Sequence, residues 1–114
     1  IGDLMLWSST RGRTFPDKSW DQEYFDVLAR SRFVLCPNGD FVWSYRFFEA
    51  ILCGAIPVIE EYCDLYEGFV FQTMDDPVED LSWDADVVEQ NYALCVERIS
   101  IPLSELNAEL AKLV

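Results

Sequence analysis

Ser31-Arg32-Phe33-Val34-Leu35-Cys36-Pro37-Asn38-Gly39, then Ser44-Tyr45-Arg46-Phe47-Phe48-Glu49-Ala50, then Gly54-Ala55-Ile56-Pro57-Val58-Ile59 is the stretch that decides the fold. Arg32 to Cys36 is a compact β-prone run, and Pro37, Asn38, Gly39 and Asp40 end it in an open loop, because these residues favour turn geometry. Tyr45, Phe48, Glu49, Ile51 and Leu52 then recur at helical intervals up to Gly54, a good C-terminal stop. Ile56 to Ile59 resumes β character. Strand, loop, helix and strand in this order form a βαβ unit.

Upstream of this unit, Leu4-Met5-Leu6-Trp7 reads as a short buried strand leaving into the polar loop Ser8 to Arg13. Ser19 can cap a helix that runs to about Arg30, with Tyr24, Val27 and Leu28 at helical spacing and with Asp21 and Glu23 suited to its positive first turn. Downstream, Phe69-Val70-Phe71 reads as another short strand. Val87 to Ile99 and Leu103 to Leu113 both show helical spacing, and Ser104 with Asn107 offers a cap for the second. The apolar strand runs are continuous rather than alternating, which predicts an α/β fold with a mostly parallel sheet covered on both faces.

The 114 residues suit one domain. Its 51% hydrophobic and 15% aromatic content excludes a disordered chain. The formal charge of -13 comes from 21 acidic against 8 basic residues, so the averaged field repels phosphate backbones and anionic membranes and argues against nucleic-acid binding. A single nucleotide is still allowed, since a helix N-terminus and one well-placed arginine make a locally positive pocket. Cys36, Cys53, Cys63 and Cys95 contain no C-x-x-C pair and there is no histidine, so a structural zinc site is not expected. Reduced core thiols and one or two disulfides both fit the spacing. With no apolar run near the ~20 residues a bilayer requires and no signal-peptide pattern, the chain reads as soluble; its start at Ile1 instead of Met leads us to expect a fragment whose targeting segment lies elsewhere.

In open α/β sheets ligands bind beyond the carboxyl ends of the strands, which points to Pro37–Trp43. There Gly39 allows close backbone approach, and the next helix, starting near Val42 to Ser44, offers free N–H groups and the Ser44 hydroxyl to a diphosphate. Arg46 and Glu49, three apart, share one helix face. A guanidinium neutralises a diphosphate, and an ionised carboxylate accepts the two hydroxyl hydrogen bonds that a ribose presents. The alternative is an ordinary surface pair contributing ~0.3–0.5 kcal/mol. Asn38 and Trp43 are possible further loop contacts, Trp43 by stacking on a sugar or base, although core packing is its default, as it is for Trp20 and Trp83. Glu60, Glu61 and Asp64 follow the Pro57 strand and could reach a ligand, but they and the run Asp75 to Asp80 read better as solvated acids, and no metal site is expected.

The quoted stretch resembles the C-terminal half of exostosin-type glycosyltransferases, close to the ribitol-phosphate xylosyltransferase branch, over Tyr24 to about Glu61. The shared features are a serine, an arginine, the glutamate-alanine pair Glu49-Ala50 and the glycine-x-x-proline-valine of Gly54 to Val58. A fucosyltransferase-like member of the same fold also has a basic residue and a Gly-x-x-Pro-Val turn; the Ser44-to-Ala50 spelling favours the exostosin side. The resemblance implies a Rossmann-like, nucleotide-sugar-binding domain spanning 1–114, half of a two-domain GT-B enzyme. Such an enzyme transfers a sugar from a nucleotide donor, often UDP-linked, to a hydroxyl of a glycan or other acceptor, with inversion and without a metal or other cofactor. By that analogy Glu49 holds the ribose, Arg46 meets the diphosphate, Gly39 and Ser44 shape the phosphate loop, and Gly54 with Pro57 turns the chain into the next strand. The general base is expected in the N-terminal domain outside this chain. Ala55 stands where these sequences often carry cysteine, so no disulfide is carried over to it. The compartment implied is the Golgi or ER lumen for a eukaryotic enzyme and the cytoplasm otherwise. The competing readings are a non-catalytic nucleotide-binding module and a flavodoxin- or receiver-like protein-interaction domain.

Overall fold

The computed structural model describes residues 21–113. The strand expected at Leu4–Trp7, the Ser19 cap and Trp20 lie outside them. Three strands, β1 (Phe33–Cys36), β2 (Ile56–Ile59) and β3 (Gln72–Thr73), form a small open parallel sheet in the order β1-β2-β3. Around it lie helices α1 (Gln22–Ala29), α2 (Tyr45–Leu52), α3 (Ala85–Ile99) and α4 (Leu103–Ala111). Phe33 pairs with Ile56 and Cys36 with Ile59, while Val58 and Ile59 pair with Gln72 and Thr73. The α/β class and the βαβ unit are therefore as the sequence predicts. Among the described residues no helix is long and apolar enough to cross a membrane.

All four residues of β2 are buried, as a central strand covered on both faces requires. β1 departs from the expectation: Val34 and Cys36 face the core, but Leu35 is 46% exposed. β1 is the edge of the described sheet, and Val34 and Cys36 share one buried cluster with Phe47, Ala50 and Ile51 of α2.

The turn from α2 into β2 explains the glycine. Gly54 adopts φ +86°, its N–H donates to the Ile51 carbonyl at 3.1 Å, and the Ala55 N–H donates to the Ala50 carbonyl at 2.9 Å. These two bonds around a left-handed residue form a Schellman cap, which any residue with a Cβ would strain.

The apolar stripe of α2 is rotated from the expected one: Ile51 is buried and Phe48 packs against the core as expected, but Tyr45 and Leu52 do not belong to it. Phe47, Ala50 and Ile51 are the buried positions, whereas Tyr45 is 74% exposed and Leu52 faces outward. Phe47, Ala50 and Ile51 also recur at helical spacing, and all three are fully buried in a helix that packs on β1 and β2. The buried Phe47 ring stacks on Tyr66 with centroids 3.8 Å apart and meets the rings of Phe48, Phe69 and Phe71.

The strand expected at Phe69–Phe71 is displaced to Gln72–Thr73. The cause is Asn91 of α3, which is 2% exposed. Its side-chain carbonyl accepts the Val70 N–H at 2.9 Å and its amide donates to the Val70 carbonyl at 2.8 Å. With both backbone groups of Val70 satisfied by a side chain, that residue has no need of a neighbouring strand.

Helix ends also differ in detail. Asp21 caps α1 by accepting the Tyr24 N–H at 3.1 Å, and Asp84 caps α3 by accepting the Asp86 N–H. Pro102 occupies the N-cap position of α4, so Ser104 lies inside that helix and does not cap it; the ring fixes φ where the helix begins. Within the acidic run, Asp76 accepts the Thr73 N–H at 2.9 Å and closes the turn after β3. All four cysteines are free, with Cys36 and Cys95 buried.

Candidate nucleotide site

Because β1 and β2 run parallel, Pro37 and Glu60 emerge side by side at their carboxyl ends, and the β1–α2 loop folds over that edge. The Asn38 N–H donates to the Glu60 carboxylate at 2.8 Å, which ties the base of the loop to the end of β2. At its other end the Ser44 N–H donates to the Tyr66 hydroxyl at 3.0 Å. The loop is thus fixed at both ends by side chains from elsewhere in the chain. The expectation of a free Ser44 N–H is corrected here, since the Tyr66 hydroxyl takes it, and the Gly39 N–H donates to the Phe41 carbonyl.

Between these ties lies an open cleft of about 320 Å³ lined by Pro37, Asn38, Gly39, Ser44, Arg46 and Glu49. The loop and the first turn and a half of α2 thus bring the candidate residues Asn38, Gly39, Ser44, Arg46 and Glu49 together. Trp43 is not in the lining. It stacks parallel to Phe41 at 6.4 Å, meets Tyr45 edge-on at 5.1 Å and packs against the core. Trp83 lies under the Arg32 guanidinium, away from the cleft.

Two polar atoms of the lining, Asn38 Oδ1 and Ser44 Oγ, are buried without a hydrogen-bond partner among the described residues. Native proteins satisfy most such atoms, so an orphan beside a cleft marks where a ligand can bond. Ser44 is the N-cap residue of α2, yet its side chain makes no capping bond, which leaves the hydroxyl for another acceptor. A Cβ added at Gly39 would meet no atom within 4 Å, and the residue has no positive φ. This glycine, which lines the cleft, therefore borders open space, and the backbone does not require it for its conformation.

Arg46 and Glu49 do not close on one another; among the described residues the ion pair is Lys112–Glu109. Instead the Tyr24 hydroxyl from α1 donates to Glu49 Oε1 at 3.3 Å, and the Arg46 guanidinium carbon stands 5.9 Å from the centre of the Tyr24 ring. Burial pushes the Glu49 carboxyl above the ordinary carboxylate value, against the lowering effects of the Tyr24 hydroxyl and the Arg46 charge. Burial also pushes the Cys36 thiol to about 12, so Cys36 is an inert core sulfur at neutral pH.

The raised Glu49 value fixes the sign of a stability effect. The fold favours the protonated acid, so this contribution is fully present below the unfolded value and is lost as pH rises through the higher folded one. Replacing Glu49 with Gln is expected to raise the melting temperature at pH 7. That gain should fade towards pH 4, where the parent carboxyl is protonated as well. Melting curves at the two pH values check this, and an equal gain at both would remove the charge as its cause.

The sequence does not single out Tyr24 and Tyr66 for the site and favours a solvated Glu60, because each acts on a residue 22 to 25 positions away. No spacing signal announces contacts of that range.

A family model described as the Exostosin GT47 domain matches residues 7–69. A probable glucuronosyltransferase of Oryza sativa subsp. japonica is 39% identical over 56 residues, which are 47% of this chain and 13% of that protein. Ribitol-5-phosphate xylosyltransferase 1 of Homo sapiens is 36% identical over 61 residues, 52% of this chain and 14% of that protein. A probable beta-1,4-xylosyltransferase of Arabidopsis thaliana is 38% identical over 56 residues, 47% of this chain and 14% of that protein. The chain therefore matches about one seventh of the length of these curated relatives. No solved structure matches it significantly.

Proposed function

The chain belongs to the exostosin GT47 domain family, and on that premise we propose that it forms the nucleotide-sugar-binding domain of a two-domain, GT-B-type glycosyltransferase with a Rossmann-like sheet. The donor is a nucleoside diphosphate sugar, most simply UDP-linked, and the sugar passes to an acceptor hydroxyl with inversion. The observation that carries this reading is the cleft from Pro37 to Glu49, with its two unpartnered buried polar atoms. One end offers the Arg46 guanidinium and the Ser44 hydroxyl, which suit the acceptor-only oxygens of a diphosphate. Glu49 offers a carboxylate, which suits the paired hydroxyls of a ribose. Asn38 Oδ1, an acceptor, suits a donor-bearing group such as a sugar hydroxyl.

In the reaction, Arg46 and the start of α2 stabilise the negative charge that gathers on the departing diphosphate, the usual largest electrostatic contribution in such transfers. The acceptor and the base that deprotonates it belong to the second domain, which lies outside this chain. The names of the relatives, glucuronosyltransferase and xylosyltransferase, make UDP-glucuronic acid and UDP-xylose the first donors to try. A receiver-like protein-contact domain would have no use for the unpartnered lining atoms and is not favoured by the family match.

Gly39→Ala separates a ligand cleft from a structural dimple. Its Cβ meets no protein atom, so the variant is expected to keep the parent's melting temperature while weakening UDP binding about tenfold, the equivalent of about 1.4 kcal/mol. Calorimetric titration of both proteins with UDP checks this. UDP binding that is unchanged in the variant would move the ligand away from the loop, and no binding by folded parent protein would overturn the site itself.

A further inference from the structure

Tyr24 joins the two charged residues of the cleft, although it comes from a different helix. α1 is anchored through the buried Leu28, its start is capped by Asp21, and the Tyr24 ring packs edge-on against Phe25 at 5.0 Å. From that fixed place its hydroxyl donates to Glu49 Oε1 and its ring lies beside the Arg46 guanidinium. Arg46 and Glu49 have long side chains, and a long side chain left unrestrained loses much of its rotamer freedom when a ligand fixes it. A single rigid aromatic touching both removes part of that loss before the ligand arrives.

We infer that Tyr24 is a positioning residue for nucleotide recognition, setting the separation between the ribose-binding carboxylate of Glu49 and the diphosphate-binding guanidinium of Arg46. This rests on the nucleotide-sugar reading above. The geometry leaves room for the ligand: Glu49 Oε2 receives no hydrogen bond from the described residues. The Tyr24 contact, at 3.3 Å, is longer than an optimal O–H···O bond, so it orients the carboxylate without exhausting its capacity to accept.

A purely structural tyrosine would not tune the acid response of the site, and this one should. Among the described residues, the groups facing Glu49 are Tyr24 from α1, Arg46 on its own helix, Cys36 from β1 and Cys53 at the end of α2. Arginine stays charged throughout, and both thiols have raised values, so among these described groups Glu49 is the one that titrates below pH 8. The Tyr24 hydroxyl stabilises its ionised form, and removing that donor moves the titration to higher pH.

The experiment measures UDP affinity between pH 4.5 and 8 by calorimetry for the parent chain, Tyr24→Phe, Glu49→Gln and the double variant. Tyr24→Phe keeps the ring, and circular dichroism confirms that it is folded. Titration of the UDP phosphate is common to all four proteins and cancels in their comparison. Expected is a loss of about three- to tenfold at pH 7 in Tyr24→Phe, the range for one net hydrogen bond, with its acid limb displaced to higher pH. That loss should shrink, and the displacement vanish, when Glu49 is already Gln. If the parent binds UDP and Tyr24→Phe matches it in affinity and acid limb, Tyr24 does not position the site. If the parent does not bind UDP at all, the nucleotide reading falls and this inference falls with it.

Discussion

Arg46→Ala is expected to weaken UDP binding by about tenfold to a hundredfold while leaving the fold intact. A hydrogen bond to a charged partner contributes about 1.5–3 kcal/mol, and each 1.4 kcal/mol is about a factor of ten. The stability side of the prediction follows from placement. Arg46 lies on the exposed side of α2, and its neighbouring ring is that of half-buried Tyr24, so truncation leaves no core cavity and should cost no more than about 0.5 kcal/mol. Arg46→Lys separates charge from shape. Lysine retains the cation but not the planar fork that meets phosphate oxygens two at a time, so it should recover part of the loss. Calorimetry at low and high salt checks the electrostatic origin: exposed charge is screened within about 8 Å at physiological ionic strength, so the advantage of the parent over Arg46→Ala should narrow as salt rises. Equal UDP affinity in parent and Arg46→Ala would place the diphosphate elsewhere.

The parts of this site that the sequence makes legible are those built from neighbours in the chain. Asn38, Gly39, Ser44, Arg46 and Glu49 all sit on one loop and the opening of one helix, so the strand-loop-helix reading brings them together without knowledge of the rest of the fold. Gly54 is legible for the same reason, since its cap involves residues no more than five positions apart. The parts that are not legible depend on packing between distant segments. Tyr66 holds the Ser44 amide and Glu60 the Asn38 amide, each across 22 positions; in the sequence one is an aromatic among many and the other a loop acid among several. Asn91 is the clearest case. Nothing local to it announces that it will be buried in α3 and satisfy Val70, and that pairing displaces β3 from its most apolar residues. On α2 overlapping sets of residues share helical periodicity, and spacing alone does not tell that Phe47 and Ala50 are buried while Tyr45 and Leu52 are exposed. Trp43 follows its default: a loop tryptophan next to a candidate site is chemically apt for stacking on a ligand, yet it packs against the core, with Phe41 and Tyr45 as ring partners within the chain.

Phe47→Ala is expected to remove about 3–5 kcal/mol of stability, a large share of the roughly 5–15 kcal/mol typical of a whole domain. The ring is 0% exposed and touches Phe48, Tyr66, Phe69 and Phe71 at once, so four neighbours on three segments would have to move to refill its volume. Each can move only by giving up its own contacts, and that restricts collapse of the cavity. Urea unfolding checks the prediction: with slopes of about 1–3 kcal/mol per molar for small proteins, the midpoint should fall by about 2 M, and a fall under about 0.5 M would mean that the aromatic cluster is loose. The effect should also reach the cleft. Tyr66 stacks on Phe47 and its hydroxyl accepts the Ser44 N–H, so the ring that loses its stacking partner is the one that fixes the start of α2. UDP binding by Phe47→Ala should therefore be weaker than the parent's at temperatures where circular dichroism still shows it folded. Tyr66→Phe tells the two routes apart. It keeps the stacked ring but leaves the Ser44 amide without its acceptor, so it should weaken binding with a much smaller loss of stability. Were Tyr66→Phe to bind UDP like the parent, the link from core to site would run through the position of α2 as a whole and not through this hydrogen bond.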